Sequence, residues 1–191
     1  MRRHAARWVL GVSLCAAFAA GMVTVVGPDR PSLAAEPREA PAPSAAVARQ
    51  VFDRFQSLAG EWRGRSTKGW DDRMSLQVIA SGSAVVQTSL FEAHPGETML
   101  TIYHLDGDRM MLTHYCMAKN QPRLQVSSVD DGGNKVTFSF RDATNLASRD
   151  QGHMDRAIFE FQDRDHFTSR WSFYKNGREE WMEDIHYDRV R

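Results

Sequence analysis

From Leu58 onward the chain is cut by turn residues into segments too short and too alternating to be helices, and this punctuation limits the fold more than any other feature. Ser81-Gly82-Ser83, Pro95-Gly96, Asp106-Gly107, Asp131-Gly132-Gly133 and Asn176-Gly177 carry the chemistry of tight turns. The runs between them are rich in β-branched, aromatic and long apolar residues. The expected strands are Gly60–Lys68, Met74–Ala80, Ala84–Ala93, Thr98–Leu105, Arg109–Ala118, Leu124–Val129, Lys135–Asp142, Met154–Phe161, His166–Tyr174 and Glu179–Arg189. About ten sequential strands on short turns favour an up-and-down meander, and a meander with one apolar face loses its exposed edges by closing on itself. The expected fold class is all-β, a single closed or nearly closed antiparallel up-and-down barrel, with an open sandwich as the alternative.

One stretch keeps a helical period. Val47, Ala48, Val51, Phe52, Phe55 and Leu58 recur at helical spacing behind Ser44, which is placed as an N-cap, so one short amphipathic helix precedes the strands and turns its apolar stripe to the core.

Ahead of it, Met1 to Arg7 holds three arginines, Trp8 to Val26 is an uncharged apolar run, and the small-residue stretch Ser32-Leu33-Ala34-Ala35 follows Gly27-Pro28. This is the order of a secretory signal with cleavage near Ala34 or Ala35. The rival is an uncleaved anchor, since the apolar run approaches a membrane span in length, and the membrane would then be met through this segment alone. In both readings the body is exported, to the periplasm or the medium. The organisation expected is a signal peptide over residues 1–35, a Pro/Ala-rich linker over 36–43 and a barrel domain over 44–191.

Charge narrows the partners. Beyond residue 35 the chain carries 20 basic and 23 acidic residues, a net of −3, and no basic stripe, which argues against a nucleic-acid partner. Of the two cysteines, Cys15 lies in the export segment, so an intramolecular disulfide in the mature chain is not expected around Cys116.

Chemistry-bearing residues concentrate in Leu100 to Arg123, read as a hairpin around Asp106-Gly107 followed by the polar turn Asn120-Gln121-Pro122-Arg123. His104, His114, Cys116 and His153 have the side chains a soft divalent metal prefers, but no CxxC or HxxxH spacing joins them. A two-residue loop puts His104 on the face opposite His114 and Cys116, whereas a three-residue loop with a bulge unites all three. Cys116 could act as a nucleophile beside His114 or serve as a small buried hydrophobe.

Asn120, Gln121 and Arg123, next to His114 and Tyr115, suit the fixing of a polar group at a barrel mouth. Glu183 falls on the presumed inner face between Trp181 and Ile185, where an acid needs a partner, with Arg123, Arg141 or Arg170 as candidates. Trp171, Phe173, Phe159 and Phe161 supply apolar wall.

Leu58-Ala59-Gly60-Glu61-Trp62-Arg63-Gly64 resembles the G-x-W element that opens the first strand of lipocalins and other calycins, directly after a short helix. The resemblance implies a barrel with a ligand cavity and makes Trp62 a structural residue packed across the barrel floor. Leu112 to Arg123, Thr144-Asn145, Gly152-His153-Met154 and Trp171 to Gly177 further resemble uncharacterised secreted bacterial proteins with this lipocalin-like barrel, which are distantly similar to nitrobindin-like and fatty-acid-binding-protein-like barrels. Asn145 and His153, with the Glu183 face, complete the candidate ligand-binding residues as the alternative to the mouth site. The nitrobindin-like branch binds haem through a histidine near the carboxy terminus, which draws attention to His186. Strand alternation, however, sets His186 opposite the face shared by Trp181, Ile185 and Tyr187.

The expectation is an exported barrel that holds a small, partly apolar molecule in its interior, with no resident cofactor. The alternatives are an isomerase or hydrolase using the same cavity with a histidine general acid or base, or a structural envelope module with no ligand.

Overall fold

The computed structural model describes residues 43–130 and 132–191; the readings of residues 1–42 as signal and linker lie outside them. Helix α1 (Ala45–Ser57) is followed by ten strands: β1 (Gly60–Ser66), β2 (Asp71–Ile79), β3 (Ala84–Phe91), β4 (Met99–Asp106), β5 (Arg109–Tyr115), β6 (Gln121–Val129), β7 (Lys135–Thr144), β8 (His153–Phe161), β9 (His166–Lys175) and β10 (Arg178–Arg189). Each strand pairs antiparallel with its sequence neighbour and β10 pairs with β1, so the meander closes into a barrel rather than a sandwich. Closure is what satisfies the backbone groups that a ten-stranded open sheet would leave at its edges.

Closure needs β1 and β10 to approach closely, and Gly64 is the residue that permits it. A Cβ at that position would stand 2.6 Å from the Tyr187 ring and 2.9 Å from Ile185. Glycine is required there for space rather than for backbone conformation.

Ser44 caps α1 through a bond from the Val47 N–H to its hydroxyl at 3.4 Å, as the N-cap position predicts. The helix closes one end of the barrel. Phe55 enters the interior, stacked on Tyr103 with centroids 4.3 Å apart and edge-on to Phe138, Phe159 and Phe161. Trp62 is fully buried beside it, its indole N–H donating to Leu58 O at 2.8 Å and its ring against Phe167 and beneath the Arg189 guanidinium. The helix-proximal half of the interior is therefore a packed aromatic core, and any cavity must lie in the other half.

Strand limits differ from expectation where turn chemistry wins. The first strand ends at Ser66 rather than Lys68, because the Gly69 N–H turns back to Ser66 O at 3.0 Å. The fifth ends at Tyr115, and Cys116 begins the turn, its carbonyl accepting from the Lys119 N–H at 2.9 Å. Pro122, expected in a turn, lies inside β6; the β5–β6 ladder reaches only to Arg123, so its missing N–H breaks no bond with β5. The β4–β5 hairpin pairs Asp106 with Arg109, making Gly107-Asp108 the two-residue loop, with Gly107 at φ 62°. This sets His104 on the face opposite His114.

Candidate ligand-binding site

The end of the barrel away from α1 is framed by the connections 67–70, 92–98, 116–120, 145–152 and 176–177. Below this mouth lies a cavity of about 70 Å³. It is smaller than the roomy interior a lipocalin-like reading leads one to expect, because the Phe55 cluster fills the other half. Its walls are mainly apolar: Trp70 and Phe91, edge-to-face at 5.3 Å, Trp171, and the flexible side chains of Met99, Met154 and Met182.

Two polar groups enter this apolar space without a full set of partners. His114 is 6 % exposed, its Nδ1 stands 2.9 Å from the Thr101 hydroxyl, and its ring lies 5.0 Å from Trp171. Nε2 is buried and bonds to nothing in the protein. Burial pushes the His114 pKa down to about 4, so the ring is uncharged at neutral pH. The second group is Glu183. Its side chain is 7 % exposed, and Lys68 Nζ pairs with Oε2 at 3.0 Å, with no other described residue bonding that oxygen. A buried polar atom left without a partner costs about 1–3 kcal/mol, so His114 Nε2 and the Glu183 carboxylate, held only by an exposed lysine, mark places where a molecule in the cavity gains by bonding.

Behind them runs a satisfied polar network. The Tyr103 hydroxyl donates to Gln87 Oε1 at 2.7 Å, and Gln87 Nε2 donates to the Ser89 hydroxyl at 3.1 Å. Tyr187 donates to Asp72 Oδ2 at 2.8 Å, and Asp72 Oδ1 accepts from the Leu90 N–H at 3.0 Å. Burial outweighs these bonds and raises the Asp72 pKa to about 6. Sequence reasoning missed this network, although inward alternation through Asp72, Met74 and Leu76 was there to be read.

Glu183 faces inward, but not by the alternation expected. On β10, three steps from Trp181 to Asp184 oppose two steps from Ser172 to Arg170, and this bulge places both Met182 and Glu183 on the cavity wall. Trp181 is thereby put out of phase with Ile185 and Tyr187; it is exposed, with Arg156 over its ring. The expected arginine partners are engaged elsewhere: Arg123 with Asp142, Arg141 with Gln125 and Arg170 with Asp184. Lys68 takes that place.

The remaining candidates divide between the exterior and the loops. Gln121 accepts from the Thr144 hydroxyl at 2.6 Å and, with Arg123, lies on the outer face of β6, whose buried positions are Pro122, Leu124 and Val126. Tyr115 is exposed. His104 bonds Leu105 O at 3.2 Å, away from the cavity. Cys116 has left the strand face of His114; its Sγ accepts from the Ala118 N–H at 3.4 Å, and burial raises its pKa, which favours an inert thiol.

Asn120 is buried and donates to Gly152 O at 2.8 Å, while Asn145, at φ 54°, donates to Lys119 O. These two asparagines tie the 116–120 connection to the 145–152 connection. His153 is fully buried, with Nδ1 2.6 Å from Gln151 O and Nε2 accepting from Arg149, whose guanidinium also caps Phe140 and Tyr174 and pairs with Asp155. It is a packing node. Phe159 and Phe161 belong to the helix-end core, and Phe173 packs on Gly152. His186 is exposed and bonds Thr168, outside the barrel. Among the described residues no three His, Cys, Asp or Glu side chains converge as metal ligands.

The sequence matches no protein-family model and no curated protein. Among solved structures, the chain is similar to a protein of unknown function from the DUF3598 family of Nostoc punctiforme, with a TM-score of 0.46 and 12 % identity over 71 % of this chain and 49 % of that one. The chain thus spans about half the length of that protein. It is also similar to Rv2717c from M. tuberculosis, with a TM-score of 0.48 and 13 % identity over 74 % of this chain and 98 % of that one.

Proposed function

We propose that the protein is an exported, lipocalin-like barrel that binds a small, partly apolar molecule at the open end of its interior. The observation that carries this reading is the pairing of an apolar cavity with two buried polar atoms, His114 Nε2, which bonds to nothing in the protein, and Glu183 Oε2, which meets only the exposed Lys68 ammonium. Apolar walls with a few convergent polar groups are the usual construction of a small-molecule site. A binding role is favoured over an acid–base enzyme because a buried imidazole with a pKa of about 4 is not the imidazolium that a general acid requires at neutral pH and is a weak base. His153, the second buried histidine, has both ring nitrogens engaged.

The test is methionine-methyl NMR of the protein titrated with isopentyl alcohol, isopentylamine and isovalerate. Binding in the cavity shifts the methyls of Met99, Met154 and Met182 and leaves Met110, in the helix-end core, unmoved. Absence of cavity-methyl shifts with all three compounds overturns the reading.

A further inference from the structure

Resting on that reading, we propose that the molecule held in the cavity is a small primary amine bound as its ammonium, anchored on the Glu183 carboxylate, and that Lys68 occupies the anchor until the amine displaces it.

The asymmetry of the Lys68–Glu183 pair is the starting point. The carboxylate is buried, with 7 % of its side chain exposed, whereas the Lys68 side chain is 65 % exposed and rises from the connection between β1 and β2. The lysine spends little by leaving, since a mostly solvated ammonium regains water and rotamer freedom. The carboxylate has no such freedom and needs a cation in place. At 3.0 Å the two charges touch, and no other described residue bonds Oε2, so the buried carboxylate depends on this one mobile cation. A free amine approaching from the mouth can take its place.

The surroundings select for the same ligand. Trp70, Phe91 and Trp171 turn aromatic rings to the cavity, and ring faces attract a cation. His114, uncharged at neutral pH, presents no opposing positive charge. An anionic ligand would have to lie beside Glu183, and a neutral one would leave the carboxylate to Lys68 and gain only apolar contact and a hydrogen bond at His114 Nε2. The small volume of the cavity, about 70 Å³, restricts the apolar body to a few carbons, with Met99, Met154 and Met182 adapting to its shape.

The isosteric series separates this inference from the binding reading itself. Isopentylamine should bind at least ~10-fold more tightly than isopentyl alcohol, a ratio equivalent to ~1.4 kcal/mol, and isovalerate more weakly than either. Glu183→Gln should abolish the preference for the amine, read as an amine-to-alcohol affinity ratio that falls from at least ~10 to about 1 within the variant, and Lys68→Gln should raise the amine's affinity by removing its competitor. Equal binding of alcohol and amine overturns the inference and leaves the binding reading standing. A Lys68→Gln protein that binds the amine no better than wild type overturns the displacement. Loss of all binding in Glu183→Gln, with fold retained by circular dichroism, shows that Glu183 shapes the pocket rather than selecting charge, and also overturns it.

Discussion

The imidazole of His114 and the hydroxyl of Thr101 face each other across the β4–β5 ladder, with Nδ1 2.9 Å from Oγ1. This bond engages Nδ1 and leaves Nε2 as the ring's free nitrogen at the cavity. Thr101→Val keeps the shape and removes the partner. It should lower stability by about 1–3 kcal/mol, read as a reduced urea midpoint at unchanged m-value. An unchanged midpoint would show that the ring is held by packing against Trp171 alone.

Asp72 and His114 should oppose each other in acid. The Asp72 pKa is raised to about 6 in the fold, so the native state takes up its proton before the unfolded chain does, and stability rises as pH falls from about 6 to about 4. The His114 pKa is lowered to about 4, so the unfolded chain protonates first, and stability falls as pH falls from about 6.5 to about 4. Each contribution is about 3 kcal/mol, and the two nearly cancel in the wild type. Asp72→Asn should therefore lose stability on acidification across this window, and His114→Gln should gain it. Urea titrations at the two ends of the window read both slopes, and parallel slopes in the two variants would remove this account of the buried pair.

The fold was legible where one physical signal decided it. Ser44 as cap, the apolar stripe of α1 and the turn-punctuated strands all follow from local chemistry and alternation, whereas Trp62 as a floor residue is implied by the resemblance of Gly60-Glu61-Trp62 to the G-x-W element. The site was legible only in part. His114 and Trp171 lie on inner positions that alternation marks, but the bulge at Met182-Glu183 cannot be seen in a sequence that alternates without interruption, so Trp181 was placed on the wrong face. Asn120 and Asn145 have the composition of ligand grips, yet they fasten two loops together. The Lys68 partnership depends on the turn ending β1 two residues early, and the β10 position it meets lies more than a hundred residues away in the chain.

Trp62→Ala should cost about 3–5 kcal/mol, since it empties the space beneath Arg189 and beside Phe167 and removes the indole bond to Leu58 O. Thermal unfolding followed by circular dichroism reads this loss, and a change below 1 kcal/mol on the scale of surface substitutions would mean that α1 closes the barrel without it.

Arg123→Ala tests the exterior. The Arg123–Asp142 pair is solvent-exposed on the outer face of β6 and β7, so its removal should change stability by no more than about 1 kcal/mol and leave cavity binding unaltered. A fall in ligand affinity would return the site to the outer rim of the mouth.

Native mass spectrometry of the protein isolated from its own cells and their medium, beside a Met154→Trp variant that fills the cavity and keeps the wild-type circular dichroism spectrum, tests the central claim most directly. The account predicts a small non-covalent adduct on the wild type, released on mild activation and missing from Met154→Trp. A bare wild-type protein, or an adduct that persists in the filled variant, would contradict it.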